Sequence, residues 1–253
     1  MQSLKTVSAV HGALLLAGVG AFAALAPQLH ATASKPATTG AAAVLYTPAP
    51  APRLATQGAA AAVAAVAPEE ALRARIHWVP VRQGGKQMMT LDDASRLLLV
   101  QAAARRAGLA DVGLGYQDVY GVINAETSWI PRTGMGKTGT PSYGLAQFEP
   151  GTAKGLGLKD PNDPVQAVYA AAVNMRHAAD WAADRIEDLK LSPQQYAAKL
   201  REGVSVYYNL STKGRRKWNG LNTAKLPIET QRHIRNVRIG AEQAIALAQE
   251  VAG

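Results

Sequence analysis

The chain has no cysteine, which removes a disulfide framework, a thiol nucleophile and any cysteine-ligated zinc together. No stretch alternates apolar and polar residues with period two for long enough to claim a sheet. No internal repeat is visible, and the N-terminal apolar run, Ala13 to Ala26, is shorter than the roughly 20 residues a spanning helix needs. His77, His177 and His233 show no close pairing with one another or with carboxylates at ligand spacing. No metal or other cofactor is therefore expected, and the histidines read as surface or packing residues. Negative charge is also short: 18 Asp and Glu stand against 27 Lys and Arg. Such a field favours polyanionic partners such as nucleic acid, anionic lipid or an acidic wall polymer.

What is present divides into three parts. Residues 1–33 carry Lys5, the apolar run and then Ala31-Thr32-Ala33, the order of a secretory signal with cleavage after Ala33; an uncleaved membrane anchor is the alternative. Residues 34–75 are mostly Ala, Pro, Thr and Ser, with "TPAPAP" at 47–52, too poor in large apolar groups to offset chain entropy. They read as a disordered tether whose Ala-rich end favours helix without specifying packing. Residues 76–253 read as the folded domain. Export without disulfides requires that domain to bury a core large enough to stand alone.

Within it the spacing predicts an all-α, or mainly α, fold. A first helix starts with Thr90 as N-cap and stops at Gly108. Others are expected over about 114–128, 145–155 and 165–189, the last after the turn-rich "LKDPNDP". Ser192-Pro193 starts a fifth, running to about Asn209, by cap and first-turn proline. A last helix runs from about Ile228 to Val251 after Pro227.

On the second helix Val119, Val122, Ile123 and Glu126 share one stripe. Pro131 places the helix end near Trp129, so Glu126 lies close to the negative end of the helix dipole. Partial burial and the dipole both disfavour the ionised carboxyl, which suits a general acid. The plainer reading is a structural glutamate met by an arginine or a backbone amide.

"ETSWIP" at 126–131, followed by "SYGLAQFEPGTAKGLGLKDPNDP" at 142–164, resembles the soluble lytic transglycosylase domain of the lysozyme-like superfamily. The family's pattern is Glu-Ser-x-(Phe/Trp)-x-Pro, then (Ala/Ser)-x-Gly-Leu-(Met)-Gln-x-x-Pro-x-Thr-Ala, then an Asp-Pro-x-Asp-Pro turn. Glu126, Trp129 and Pro131 fit the first element; Gly144, Leu145, Gln147, Pro150, Gly151, Thr152 and Ala153 fit the second. "VYYN" at 206–209 resembles the family's Ala-Tyr-Asn element, and "LPIETQRHI" at 226–234 its closing Glu-Thr-x-x-Tyr-Val helix. The likeness spans about residues 113–240. Thr127 replaces the usual Ser, Glu149 stands where an apolar residue is usual, and "LSTKGRRKW" follows the Tyr-Asn element in place of an Ala-Gly-rich turn.

The resemblance implies a lysozyme-like helical fold that cuts bacterial peptidoglycan, with Glu126 as the catalytic residue. It implies substrate-binding roles for Thr127, Tyr143, Gln147, Phe148, Glu149, Tyr208 and Asn209, with Gln147 and Tyr208 bonding sugar N-acetyl groups or Glu126 itself. By the same resemblance, Glu126 protonates the MurNAc-GlcNAc oxygen and then takes the proton of the sugar's C6 hydroxyl, leaving a 1,6-anhydro end. Glycoside hydrolysis ordinarily uses two carboxylates, so a cleft-facing Glu149 would make a hydrolytic muramidase; a solvent-facing helix residue is the plainer reading of Glu149. A non-catalytic wall-binding scaffold is the rival from another class.

Two further signals carry less. "TGMGKTGT" at 133–140 lacks the first glycine of a phosphate loop, because that position is Pro131, and Gly139 and Pro141 block the helix that should follow. It reads instead as a cleft wall over 132–142. "KGRRKW" at 213–218 has no nucleic-acid motif beside it and reads as a solvated or wall-binding face. The expected partners are thus peptidoglycan strands and, from the long tether, an envelope-spanning secretion, conjugation or division machine. A monomer in the periplasm or cell envelope is expected, with no nucleic-acid partner and a membrane contact only through an uncleaved signal.

Overall fold

The computed structural model describes residues 68–135 and 139–252. The expected signal at 1–33 and the tether as far as 67 lie outside the described residues. The described chain is mainly helical, as the spacing predicts. It opens in helix α1, residues 68–73, part of the stretch read from sequence as tether. Here it is docked: Arg73 bridges Asp163 at 2.6 Å, Glu69 bridges Arg106 at 2.6 Å, and Leu72 and Ile76 pack on the core.

A hairpin follows, made of β1 (Trp78–Gln83) and β2 (Lys86–Leu91) around Gly84-Gly85. A two-residue Gly-Gly loop is a preferred hairpin connection. This sheet was not expected from the sequence. β1 exposes both faces over most of its length, so it carries no alternation to be read. A second pair, β3 (Gly134–Met135) and β4 (Pro141–Ser142), is only two residues long on each side.

The helical frame comprises α2 (Asp93–Arg106), α3 (Tyr116–Thr127), α4 (Pro150–Gly155), α5 (Pro164–Ile186), α6 (Pro193–Asn209), α7 (Thr212–Arg215) and α8 (Ile228–Ala252). α2 is capped by Asp92, whose carboxylate accepts from the Ser95 amide at 2.8 Å. Thr90, the expected cap, instead lies within β2, one residue before its end, and donates to the Trp129 carbonyl at 2.8 Å. α6 begins as the sequence indicates, with Ser192 and Gln195 in a reciprocal capping box and Pro193 in the first turn. α4 is shorter than expected because Gly144 and Gln147 adopt positive φ and Pro150 occupies the first turn, leaving 143–149 as loop.

α5 runs through the centre against α2, α3 and α6. Its buried face is rich in alanine, with Ala167, Ala170, Ala171, Ala178, Ala179 and Ala182 all enclosed around Val168 and Met175, so neighbouring helices approach it closely. The start of α3 is fixed by Asp118, buried, which accepts from its own Gly115 amide at 2.8 Å and from Arg201 of α6 at 2.7 Å. Farther along, α3 meets α8 at two glycines. A Cβ on Gly121 would lie 2.3 Å from the Val237 carbonyl oxygen, and one on Gly240 would lie 2.9 Å from the Gly121 Cα. Only bare backbone allows so close a crossing, and it lays the first turns of α8 beside the end of α3.

Candidate active site

α3 ends abruptly. Ser128 and Trp129 both take the left-handed conformation, with φ of 51° and 64°, at a cost of roughly 1–2 kcal/mol each. Full burial of the Trp129 ring, its tilted contact with Tyr120 at 5.0 Å and the Thr90 bond to its carbonyl hold the turn. Arg132 folds back to donate to the Glu126 main-chain carbonyl, a favourable place for a cation at a helix C-terminus. Glu126 therefore stands in the last turn of α3 with its side chain 15 % exposed.

Its partner comes from α8. His233 Nε2 lies 3.0 Å from Glu126 Oε1, with the histidine side chain 7 % exposed. An unpaired carboxylate so enclosed would cost several kcal/mol, and this contact offsets part of that. The Tyr208 ring of α6 is nearly parallel to the imidazole and offset from it, with centroids 6.4 Å apart and 14° between planes. Burial first, and then the charge of Glu126, push the Tyr208 phenol well above its ordinary value near 10.0. It is thus a hydrogen-bond donor, and it donates to the Ala146 carbonyl at 3.2 Å.

The sequence-predicted residues fall into distinct positions. Phe148 is buried beside Tyr208, 5.8 Å between rings. Asn209 accepts from the buried Thr230 hydroxyl at 2.8 Å, fixing the first turn of α8 one turn before His233. Thr127 is buried, with the Leu145 carbonyl 3.0 Å and the Ile123 carbonyl 3.2 Å from its hydroxyl; its proton is spent inside the protein, joining α3 to the loop. Gln147 is likewise committed. Its amide nitrogen donates to the Arg132 and Gly144 carbonyls at 2.8 and 2.9 Å, and its oxygen accepts from the Ser142 hydroxyl at 3.0 Å. It clips the wall at 132–144 to the loop, a role the sequence did not suggest.

Tyr143 is half-buried and closes the loop by donating its amide to the Phe148 carbonyl at 3.2 Å. With Phe148 it lines an open cavity of about 550 Å³ whose other walls include Pro150, Leu158, Lys154 and Lys159. Glu149, read as a candidate substrate-binding residue whose plainer alternative is a solvent-facing helix position, is 8 % exposed at the position before α4. The difference arises because α4 starts only at Pro150, so Glu149 belongs to the packed loop and not to a helix surface. Gly144 seats that loop against the "DPNDP" turn: any Cβ there would lie 1.8 Å from the Pro161 carbonyl oxygen.

The residue that sequence reasoning missed is His233, read above as a surface or packing residue. It is 107 positions from Glu126, so no spacing rule pairs them. A signal was nonetheless present, since in "ETQRHI" His233 stands where the closing family element has tyrosine. The arrangement brings a partly enclosed carboxyl and a buried imidazole from two distant helices into one contact. Among the described residues no group of three His, Asp or Glu side chains is placed to hold a metal ion, and no helix is long and apolar enough to cross a membrane.

No protein-family model matches the chain, and no solved structure does. A curated protein to which it is similar is the transglycosylase of Enterobacteria phage PRD1, 37 % identical over 78 residues. That match takes in 31 % of this chain and spans 28 % of the length of the phage protein.

Proposed function

We propose that the protein is a lytic transglycosylase that cleaves the β-1,4 bond between MurNAc and GlcNAc in peptidoglycan. The observation that carries this reading is the enclosed Glu126 carboxyl, held by His233 at the junction of α3, α8 and the 143–149 loop. The partial likeness to the phage transglycosylase supports it.

In the reaction, the Glu126 carboxyl gives its proton to the glycosidic oxygen as the C1–O bond breaks. The carboxylate that remains takes the proton of the C6 hydroxyl while that oxygen bonds to C1, closing a 1,6-anhydro ring and restoring the acid. The internal hydroxyl has a high effective molarity, so no second protein carboxylate is required. Burial of Glu149 in the packed loop favours this single-carboxylate route over hydrolysis. Lys154 and Lys159 on the cavity beside Tyr143 suit the stem-peptide carboxylates of the strand. Export to the cell envelope, action as a monomer and service to an envelope-spanning machine belong to the same proposal.

The test is mass spectrometry of products released from purified sacculi by the protein and by Glu126→Gln. Anhydro-muropeptides that vanish in the variant are the expected result. Reducing-end products would replace the reading with a muramidase, and wall binding without any product would replace it with a scaffold.

A further inference from the structure

Resting on the reading above, we infer that His233 is a positioning residue for Glu126. Its Nε2–H holds Oε1, so the proton that the acid gives up is carried on the other oxygen, Oε2.

The geometry sets which ring nitrogen bears the hydrogen. His233 Nδ1 is buried and has no hydrogen-bond partner among the described residues, so a proton placed there would be a buried N–H without an acceptor. A proton on Nε2 meets Glu126 Oε1 at 3.0 Å. The Tyr208 ring lies nearly parallel to the imidazole and offset from it, with centroids 6.4 Å apart, and Asn209 anchors the turn of α8 that precedes it through Thr230. With Oε1 already facing an N–H, a carboxyl proton on that oxygen would confront another proton. It therefore resides on Oε2.

The groups around the pair do not replace this function. Tyr208, from α6, donates its hydroxyl to the Ala146 carbonyl. Arg132, from the loop after α3, bonds the main-chain carbonyl of Glu126. On α8 itself, Glu229 is exposed and Arg232 is only partly buried.

The experiment uses the full chain on sacculi, with rates of anhydro-muropeptide release followed across pH for the wild type, His233→Leu and His233→Gln. Leucine fills similar space without a donor; glutamine offers an amide N–H at a similar reach. We expect His233→Leu to lower the rate on the order of a hundredfold, the scale of misplacing a reacting group by about 1 Å, while binding to sacculi is kept. His233→Gln should regain most of that loss. A donor to a carboxylate favours its charged form, so removing it should move the alkaline limb of the rate profile to higher pH in His233→Leu. Glutamine should hold that limb in place. A purely packing role predicts the reverse: leucine tolerated, the limb unmoved.

A wild-type rate in His233→Leu would overturn the inference, as would a folded His233→Gln that is as slow as the leucine variant. If leucine at this position prevents folding, the glutamine variant decides alone by rate and limb. If the wild type itself releases no anhydro products, the parent reading fails, and that result is distinguished by product identity before any variant is compared.

Discussion

Glu126 meets His233, 107 positions away, whereas Gln147 is held by carbonyls no more than 15 positions distant. Glu126 sits on a seam between two helices that meet through bare glycine backbone. The loop segments beside it are joined by the Gln147 side chain, which bonds Arg132, Ser142 and Gly144. A seam of that kind admits few intermediate states, because packed helices cannot yield a little without parting. A wall held by individual hydrogen bonds can lose one and remain partly formed. The difference teaches where precision is kept: in the long-range packing that sets the acid, and less in the loop that borders it.

Variants at the two regions should therefore fail differently. Glu126→Gln should produce the largest loss, about 10²- to 10⁴-fold in product release, with the melting temperature nearly unchanged. A similar loss from any wall residue would break the comparison. Gly121→Ala should follow, because its methyl would meet main-chain oxygen that has nowhere to go. Overpacking of this kind costs about 1–3 kcal/mol, a fall in melting temperature of roughly 2–12 °C for a domain of this size. Activity should fall with it as α8 is pushed from α3; calorimetry and product release on the same samples check both.

Gln147→Ala should do less. Losing its bonds to Arg132, Ser142 and Gly144 should lower activity by under about tenfold, since the bonds lost contribute about 1 kcal/mol each and touch the wall alone. Limited proteolysis should then cut within 139–149 faster in the variant than in the parent. The smallest effect is alkaline. Tyr208 is held neutral in the folded protein beyond the pH at which it ionises when unfolded, so the folded state binds the proton more tightly. Its contribution to stability is complete below about pH 10 and is lost as pH rises above that toward the raised folded value. The melting temperature of the parent should thus decline more steeply above pH 10 than that of Tyr208→Phe; equal slopes would show that burial does not hold the phenol neutral.

The sequence made the helical frame readable where local chemistry decides it. Ser192-Pro193 marked α6, Pro227 preceded α8, and the "DPNDP" turn preceded α5, because caps and first-turn prolines act over three or four residues. The hairpin at 78–91 escaped because β1 is exposed on both faces and has no buried stripe. α4 was drawn too long because nothing in "GLAQ" says that Gln147 will adopt positive φ; in the fold that conformation accompanies its three side-chain bonds to Arg132, Ser142 and Gly144. Within the site, Glu126 was legible from its apolar stripe and neighbouring proline. His233 was not, since the contact exists only once Gly121 and Gly240 have let two distant helices touch.

At positions 145 and 146 the loop beside Glu126 is gripped through its main chain: the Thr127 hydroxyl is bonded to the Leu145 carbonyl and the Tyr208 hydroxyl to the Ala146 carbonyl. Carbonyls are the same whatever side chain accompanies them. Positions 145 and 146 are therefore free to change within the limits of volume, while 127 and 208 must keep a hydroxyl for the loop to stay seated. Recombination with a relative should succeed when a donated 143–149 segment arrives in a recipient that keeps both hydroxyls, and the compatibility of two parents can be judged at those two distant positions before the loop itself is compared.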